Sequence, residues 1–202
     1  MTTSDPETIT RLLINQDRQQ IELLLGEHRA RLRKMVAARM DPRLAARVDP
    51  SDVVQETMIE AMRMLPEYVL DQPLPFYPWL RQLAAQRLAR LAQQHIGAQR
   101  RSVTREQQEN LGLSHESMSR LVDQLTAPDT SPSQRAMQQE MQQRLRSALD
   151  DLPYLDREVL VLQFIEQMSP GEIAPILGIT PEAVGMRRLR ALRRLGTVLQ
   201  DE

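Results

Sequence analysis

Arginine is the residue type through which this sequence could do chemistry. The 202 residues include 26 lysines and arginines, and all of these except Lys34 are arginines. Five arginines and one acid lie between residues 181 and 196, and six arginines and no acid lie between residues 77 and 105. A guanidinium is a planar fork that can hold a guanine edge or a phosphate through two parallel hydrogen bonds. These two stretches therefore predict two surfaces for nucleic acid.

The acidic residues are concentrated elsewhere, between residues 41 and 71. That stretch holds seven acids and three arginines, although the net charge of the whole chain is only −1. Segregation of opposite charges along a chain indicates separate surfaces for separate partners. We expect the acidic stretch to dock on a protein.

Several other kinds of chemistry are not expected. The chain has no cysteine, and its three histidines, His28, His95 and His115, are far apart in sequence. Disulfides, a thiol nucleophile and a cysteine zinc site are thus excluded, and no glycine-rich phosphate loop or nucleophile motif occurs. We predict no enzyme activity, no metal and no cofactor. The chain also lacks an apolar run of about 18 residues and the pattern of a secretory signal, so we expect a cytoplasmic protein without membrane insertion.

The composition predicts an all-α fold of two small helical domains. Aromatic residues make up 3% of the chain and only 7 glycines occur, whereas a single large core or an all-β fold usually needs more of them. In the first domain, apolar periodicity predicts helices over about 17–40, from Asp49 to just before Pro66, and from near Pro78 to Gly97. Asp49 would cap the second of these helices, with a proline at its first position.

A polar segment then separates the two domains. Residues 102–136 are rich in Gln, Ser, Glu and Thr, and the segment is longer than an ordinary loop within a domain. Its pattern is weakly helical over 111–125. We therefore predict domains at 1–101 and 137–202, joined by this linker.

The second domain ends in a pattern typical of a helix-turn-helix. Ser169 and Glu172 form a Ser-x-x-Glu capping box, which begins a short helix. Gly178 would end that helix, and Thr180–Pro181 would begin the last one. A short capped helix, a turn with glycine and a second capped helix together predict binding in the major groove of DNA.

The last helix has one apolar side and one arginine face. On a helical wheel, Val184, Ala191, Leu192, Leu195 and Leu199 share the apolar side. The opposite side, which we call the arginine face, consists of Ala183, Met186, Arg187, Arg190, Arg193 and Arg194. Such a face is often merely solvated, but acids on the same helix are too few to pair with these arginines. We predict that the earlier residues read base edges and the later arginines hold phosphates. The candidate residues are Thr180, Ala183, Met186, Arg187, Arg188, Arg190, Arg193 and Arg194, of which Arg188 sits among the apolar positions.

At this point the sequence resembles the extracytoplasmic-function group of bacterial RNA polymerase sigma factors. Residues 152–195, LPYLDREVLVLQFIEQMSPGEIAPILGITPEAVGMRRLRALRRL, are similar to that family's region four. Residues 49–65, DPSDVVQETMIEAMRML, and residues 78–91, PWLRQLAAQRLARL, are similar to its region two. The order of the two regions and the linker between them make this resemblance specific.

The resemblance implies partners and residues for each region. Core RNA polymerase would be bound through its clamp helices by region two and through its flap by region four. Region two would also bind the minus-ten element and its separated strand, region four the minus-thirty-five duplex, and the linker would follow the RNA exit path. An anti-sigma factor or another regulator is implied as well. The implied clamp contacts are Asp52, Val53, Gln55, Glu56 and Thr57. The implied minus-ten contacts are Arg81, Gln82, Gln86, Arg87 and Arg90.

Some points stay open from the sequence. The loop over Glu67–Tyr77 would select a flipped base, with Phe76 and Tyr77 either in the core or on the strand, whereas Trp79 is expected in the core. Gly185 and Met186 replace the Lys-Ser common in the family's last helix, which leaves the promoter sequence undefined. Two alternatives remain: a helix-turn-helix regulator that acts without core polymerase, and a helical adaptor protein.

Overall fold

The computed structural model describes residues 6–15, 17–72, 74–96 and 134–200, and these ranges contain helices and no strand. The described residues form two compact units, the first ending at Ile96 and the second beginning at Gln134. The prediction of an all-α fold with two helical domains is confirmed. Residues 102–133 of the predicted linker, the short helix predicted within it and the predicted end of the first domain at residue 101 lie outside the described residues, whereas residues 134–136, also assigned to the linker, are helical.

The first unit has five helices among its described residues. They are α1 (Pro6–Ile14), α2 (Arg18–Arg39), α3 (Pro42–Ala45), α4 (Pro50–Asp71) and α5 (Phe76–Ile96). The long helices α2, α4 and α5 all pack on one another, α1 packs on α2 and α4, and α3 packs on α5. Buried leucines such as Leu32, Leu65, Leu80 and Leu88, each at most 1% exposed, form the interior.

The start of α4 follows the sequence signal, but its end does not. The Asp49 side chain accepts a hydrogen bond from the backbone N–H of Ser51 at 2.7 Å, so the predicted cap is confirmed. The prediction that the helix stops before Pro66 is wrong, because α4 continues for six residues to Asp71. Burial explains the difference: Tyr68 is 3% exposed, and its hydroxyl donates to the Leu74 carbonyl at 3.1 Å. Such packing offsets the backbone hydrogen bond that a proline removes from a helix.

The second unit is built around its last helix. Its helices are α6 (Gln134–Asp150), α7 (Tyr154–Leu160), α8 (Pro170–Leu177) and α9 (Pro181–Gln200). Helix α9 packs on α6, α7 and α8, and its residues Val184, Ala191 and Leu195 are at most 3% exposed. A π-helical turn, Val161–Ile165, continues directly from α7.

The predicted helix-turn-helix is confirmed in its local geometry. Ser169 and Glu172 form the capping box at the start of α8, with Glu172 accepting from the Ser169 backbone N–H at 2.8 Å. Gly178 ends α8 in the left-handed conformation at φ 63°. The Thr180 hydroxyl then accepts from the Ala183 N–H at 3.2 Å and caps α9.

None of the helices within the described ranges is long and apolar enough to cross a membrane.

Candidate nucleic-acid interface

Helix α9 presents the predicted arginine face to solvent. Because its apolar side is buried against the other helices, the opposite side is exposed, and Met186 is 60% exposed there. Thr180 is exposed at the start of the helix, and Ala183 is half-buried. Leu189, which the sequence did not single out, is also 42% exposed. Four of the predicted arginines are exposed, and these are Arg188, Arg190, Arg193 and Arg194.

Among the described arginines of α9, Arg187 is the one that donates a hydrogen bond to an acid of another helix. Its Nη1 donates to Oδ1 of Asp156 in α7 at 2.8 Å, and its side chain is 27% exposed. Asp156 is completely buried, and its Oδ2 lies 3.9 Å from Nη1 of Arg190. Helical periodicity relates Arg187 only to acids on α9 itself, so the sequence does not reveal this partner. Asp156 is an acid in the first turn of a helix, a position usually explained by the helix dipole alone.

The predicted minus-ten residues lie on α5 beside the acids of α4. Arg87 forms an ion pair with Glu56, and Arg90 forms one with Glu60 at 2.9 Å. Arg81 is 8% exposed and therefore lies mostly in the interior. Gln82 and Gln86 are exposed. The stretch that has no acid in sequence is thus adjacent to acids in space, and the predicted acidic and basic surfaces of the first unit adjoin.

Four of the five predicted clamp-contact residues, all except Thr57, line a surface groove of about 510 Å³. Asp52, Gln55 and Glu56 are exposed there. The expectation that Val53 and Thr57 contact a partner needs correction, because they are 1% and 0% exposed. The Thr57 hydroxyl donates to the Val53 carbonyl at 2.7 Å, so both residues support the helix from inside. The groove is lined by Arg47, Val48, Asp52, Val53, Gln55, Glu56, Ile59 and Leu91.

Ile59 is a groove residue that the sequence argument missed. It is 47% exposed, although isoleucine is usually buried. It lies one helical turn after Gln55 on α4, beside the acidic residues. The sequence does contain a signal for this residue, since an isoleucine among acids on the polar side of an amphipathic helix is expected to be exposed. An exposed apolar residue within a charged rim is typical of a protein-binding surface.

The aromatic residues at the start of α5 belong to the core. Phe76 and Tyr77 are each 3% exposed and Trp79 is 5% exposed. The sequence left Phe76 and Tyr77 open between the core and contact with a DNA strand, and their burial places both in the core. Tyr68 stacks on Trp79 with ring centroids 4.4 Å apart. The guanidinium carbon of Arg31 lies 3.7 Å from the centre of the Tyr77 ring. In the segment predicted as a base-selecting loop, residues 67–71 are the last part of α4 and residues 76–77 are the start of α5.

Comparison with known proteins supports both regions. The models of sigma-70 region 2 and sigma-70 region 4 match residues 25–101 and 142–195. The RNA polymerase sigma factor CnrH of Cupriavidus metallidurans is 30% identical over 160 residues, which cover 76% of this chain and 75% of CnrH. The chain belongs to the extracytoplasmic-function group of RNA polymerase sigma factors. Its first unit carries the region 2 match and its second unit the region 4 match.

Two other sigma factors are matched over a smaller part of their length. The Mycobacterium tuberculosis extracytoplasmic-function sigma factor SigD is 28% identical over 144 residues, which cover 71% of this chain and 60% of SigD. The probable sigma factor RfaY of Xanthomonas campestris is 29% identical over 140 residues, which cover 69% of this chain and 31% of RfaY. The structure of CnrH in complex with the cytosolic domain of CnrY has the same fold, with a TM-score of 0.52 and 23% identity over 98% of this chain and 99% of that chain.

Proposed function

We propose that this chain binds core RNA polymerase and directs it to promoters. The observation that carries the proposal is the exposed arginine face of α9, which a capped helix-turn-helix holds opposite the core of the second unit. A helix-turn-helix places its last helix in a major groove with the N-terminal residues toward the bases. In this proposal, region 2 binds the clamp helices of core polymerase and region 4 binds its flap. The protein acts in the cytoplasm, in association with the nucleoid.

In region 4, the start of α9 would contact bases and the rest would contact phosphates. Thr180, Ala183, Met186 and Arg187 lie in the first two turns, where they can reach base edges. Met186 is exposed and apolar, which suits contact with a thymine methyl group. The exposed arginines Arg188, Arg190, Arg193 and Arg194 would hold phosphates of the minus-thirty-five duplex.

In region 2, the clamp contact would consist of Asp52, Gln55 and Glu56, with Ile59 as its apolar centre. The minus-ten contacts would be Gln82, Gln86, Arg87 and Arg90, whereas Arg81, which the sequence also suggested, lies too deep to hold a strand. The ion pairs of Arg87 and Arg90 are partly exposed, with side chains of 30% and 49% exposure. Partly exposed pairs contribute roughly 0–1 kcal/mol each, so a DNA phosphate can replace the carboxylate at small cost.

Transcription by core polymerase from the encoding organism tests the proposal. Core enzyme plus this chain should give promoter-dependent run-off transcripts from a genomic library, whereas core alone should not. The chain by itself should bind duplex DNA weakly and with strong dependence on salt. Tight and specific binding without core would instead support a regulator that acts alone. No effect of core and no salt-sensitive DNA binding would support an adaptor.

The arginine face can be tested within the same assay. Arg187→Ala should weaken transcription from promoters that carry a strong upstream element, because a base contact is lost. Arg144→Ala is the matched control, since Arg144 is an exposed arginine of α6 that pairs with Glu140. Equal transcription by Arg187→Ala and the wild type at these promoters would contradict the position assigned to the face.

The clamp contact needs a variant that leaves the DNA contacts intact. Glu56→Ala combined with Asp52→Ala should reduce core binding, but Glu56 also holds Arg87, so this pair of changes acts on both surfaces. Ile59→Arg avoids that complication, because it places a charge in the groove without removing an ion pair. Leu70→Arg is the control, since Leu70 is 84% exposed on the same helix and lies outside the groove. A pull-down with core should lose the first variant and keep the second, and equal retention of both would refute the contact.

We also infer an anti-sigma partner. Support comes from the structure with the same fold, in which CnrH is in complex with the cytosolic domain of CnrY. Region 2 here offers an exposed apolar residue within an acidic groove, which is suitable for a protein ligand. Crosslinking of the chain in its own cells, followed by mass spectrometry, should identify this protein beside core polymerase. Recovery of core polymerase alone would contradict the inference.

A further inference from the structure

Asp156 is a fully buried carboxylate beneath the arginine face of α9. Its Oδ1 accepts from Nη1 of Arg187 at 2.8 Å, and its Oδ2 lies 3.9 Å from Nη1 of Arg190. Its backbone N–H donates to the Pro153 carbonyl at 2.9 Å in the first turn of α7. One rigidly placed acid therefore lies beside two arginines that are three residues apart on the DNA-facing helix.

A purely structural explanation does not account well for this arrangement. Burial of a carboxylate is destabilising unless its oxygens are satisfied, and well-packed apolar residues often replace a buried pair without loss of stability. Among the described residues, Oδ2 of Asp156 is buried and has no hydrogen-bond partner. An incompletely satisfied buried carboxylate beside a binding surface suggests a role in binding.

The contact fixes the orientation of one guanidinium. Arg187 has five N–H donors, and its one hydrogen bond among the described residues goes to Asp156. Its side chain is 27% exposed, so part of the group still reaches the surface. An unrestrained arginine side chain loses conformational freedom when it binds, whereas one that is already oriented loses less.

We propose that Asp156 is a positioning residue for promoter recognition. This inference rests on the proposed function. Asp156 holds the Arg187 guanidinium in one orientation, so that its remaining N–H donors bind one base edge and do not bind phosphates at varying positions. It also offsets the attraction of this arginine for DNA of any sequence. Without Asp156, binding to the preferred sequence weakens, and binding to other sequences strengthens.

The test compares preferred and shuffled DNA. A random duplex library is selected with wild-type chain plus core polymerase, and the enriched minus-thirty-five sequence and its shuffled version become labelled probes. The dissociation constant for the shuffled probe divided by that for the preferred probe measures selectivity. In Asp156→Asn this ratio should fall about tenfold, within the range expected when one bidentate base contact is lost. On the shuffled probe, the slope of log affinity against log salt should steepen by roughly 0.9, the value for one additional phosphate contact.

Two further variants separate orientation from charge and folding. Asp150→Asn removes the same charge from an exposed acid that pairs with Arg157 of α7 and not with an arginine of α9, and it should leave the ratio unchanged. In an Arg187→Ala background, Asp156→Asn should change the ratio little, because the group it positions is absent. An unchanged ratio in Asp156→Asn, or an equal fall in Asp150→Asn, would overturn the proposal.

A measurement on the wild-type chain remains decisive if Asp156→Asn fails to fold. In NMR spectra of the free 202-residue chain, rotation about the guanidinium bonds should be slower for Arg187 than for the exposed Arg188. Equal rotation of the two groups would refute the positioning role. If the wild-type chain with core selects no sequence from the library, the proposed function itself is refuted. If the wild type is selective and Asp156→Asn is equally selective, only the positioning role is refuted.

Discussion

The turn of the helix-turn-helix makes a sharp prediction about two glycines of the second unit. Gly178 has φ 63° and ψ 34° at the end of α8, whereas Gly185 lies within α9. A Cβ added at either position would meet no atom within 4 Å, so space does not distinguish them. Gly178→Ala should lower the free energy of unfolding of the second unit by about 1 kcal/mol. The left-handed conformation costs an L-residue about 1–2 kcal/mol, and the lower conformational entropy of the unfolded alanine chain offsets part of this cost. Gly185→Ala should stabilise by up to about 1 kcal/mol through helix propensity.

Thermal unfolding followed by circular dichroism can measure this difference. A domain of this size shifts its midpoint by roughly 4–8 °C for each kcal/mol, downward for Gly178→Ala and upward for Gly185→Ala. Fluorescence of Trp79, the sole tryptophan, reports on the first unit and should not shift in either variant. Gly178→Asn should lose less than Gly178→Ala, since asparagine tolerates the left-handed region. Shifts of the same sign in both alanine variants would refute the reasoning.

Three further predictions concern stability. Ser169→Ala should lower the free energy of unfolding of the second unit by about 1 kcal/mol, because the cap of α8 is lost; an unchanged urea midpoint would contradict this. Leu145→Ala should cost about 2–5 kcal/mol, because Leu145 is 0% exposed and its removal leaves a cavity; a loss below that range in urea unfolding would mean that the site collapses. The Ser51 backbone N–H lowers the pKa of Asp49 from its usual 3.8, so this carboxylate stabilises α4 above that pH and the contribution is lost as pH falls through the lowered pKa. The stability deficit of Asp49→Ala should therefore be full at neutral pH and shrink below about pH 4, and a deficit that stays constant on acidification would exclude the charge as its cause.

Local signals were predictable from sequence because they depend on neighbours in the chain. Asp49 caps α4, Ser169 and Glu172 form their capping box, and Gly178 adopts the left-handed turn. Each feature is decided within about four residues, the reach of a helix cap or turn. The orientation of α9 was predictable for a related reason, since its apolar periodicity determines which side is buried.

Features that depend on tertiary packing were not predictable. Helix α4 passes through Pro66 because residues beyond it, notably Tyr68, are buried by other elements. Val53 matches the family motif, but a motif match does not distinguish residues that touch a partner from residues that support them. The pairing of Arg187 with Asp156 joins α9 to α7, with α8 between them in the chain, and no periodicity within either helix indicates it.

The ion pairs between α4 and α5 have a thermodynamic consequence for the proposed function. Glu56 lies in the groove assigned to the clamp, and its partner Arg87 lies among the residues assigned to the minus-ten strand. A ligand that engages either member of the pair alters the charge that the other presents. Linkage is reciprocal, so any increase in strand affinity caused by polymerase must equal the increase in polymerase affinity caused by the strand.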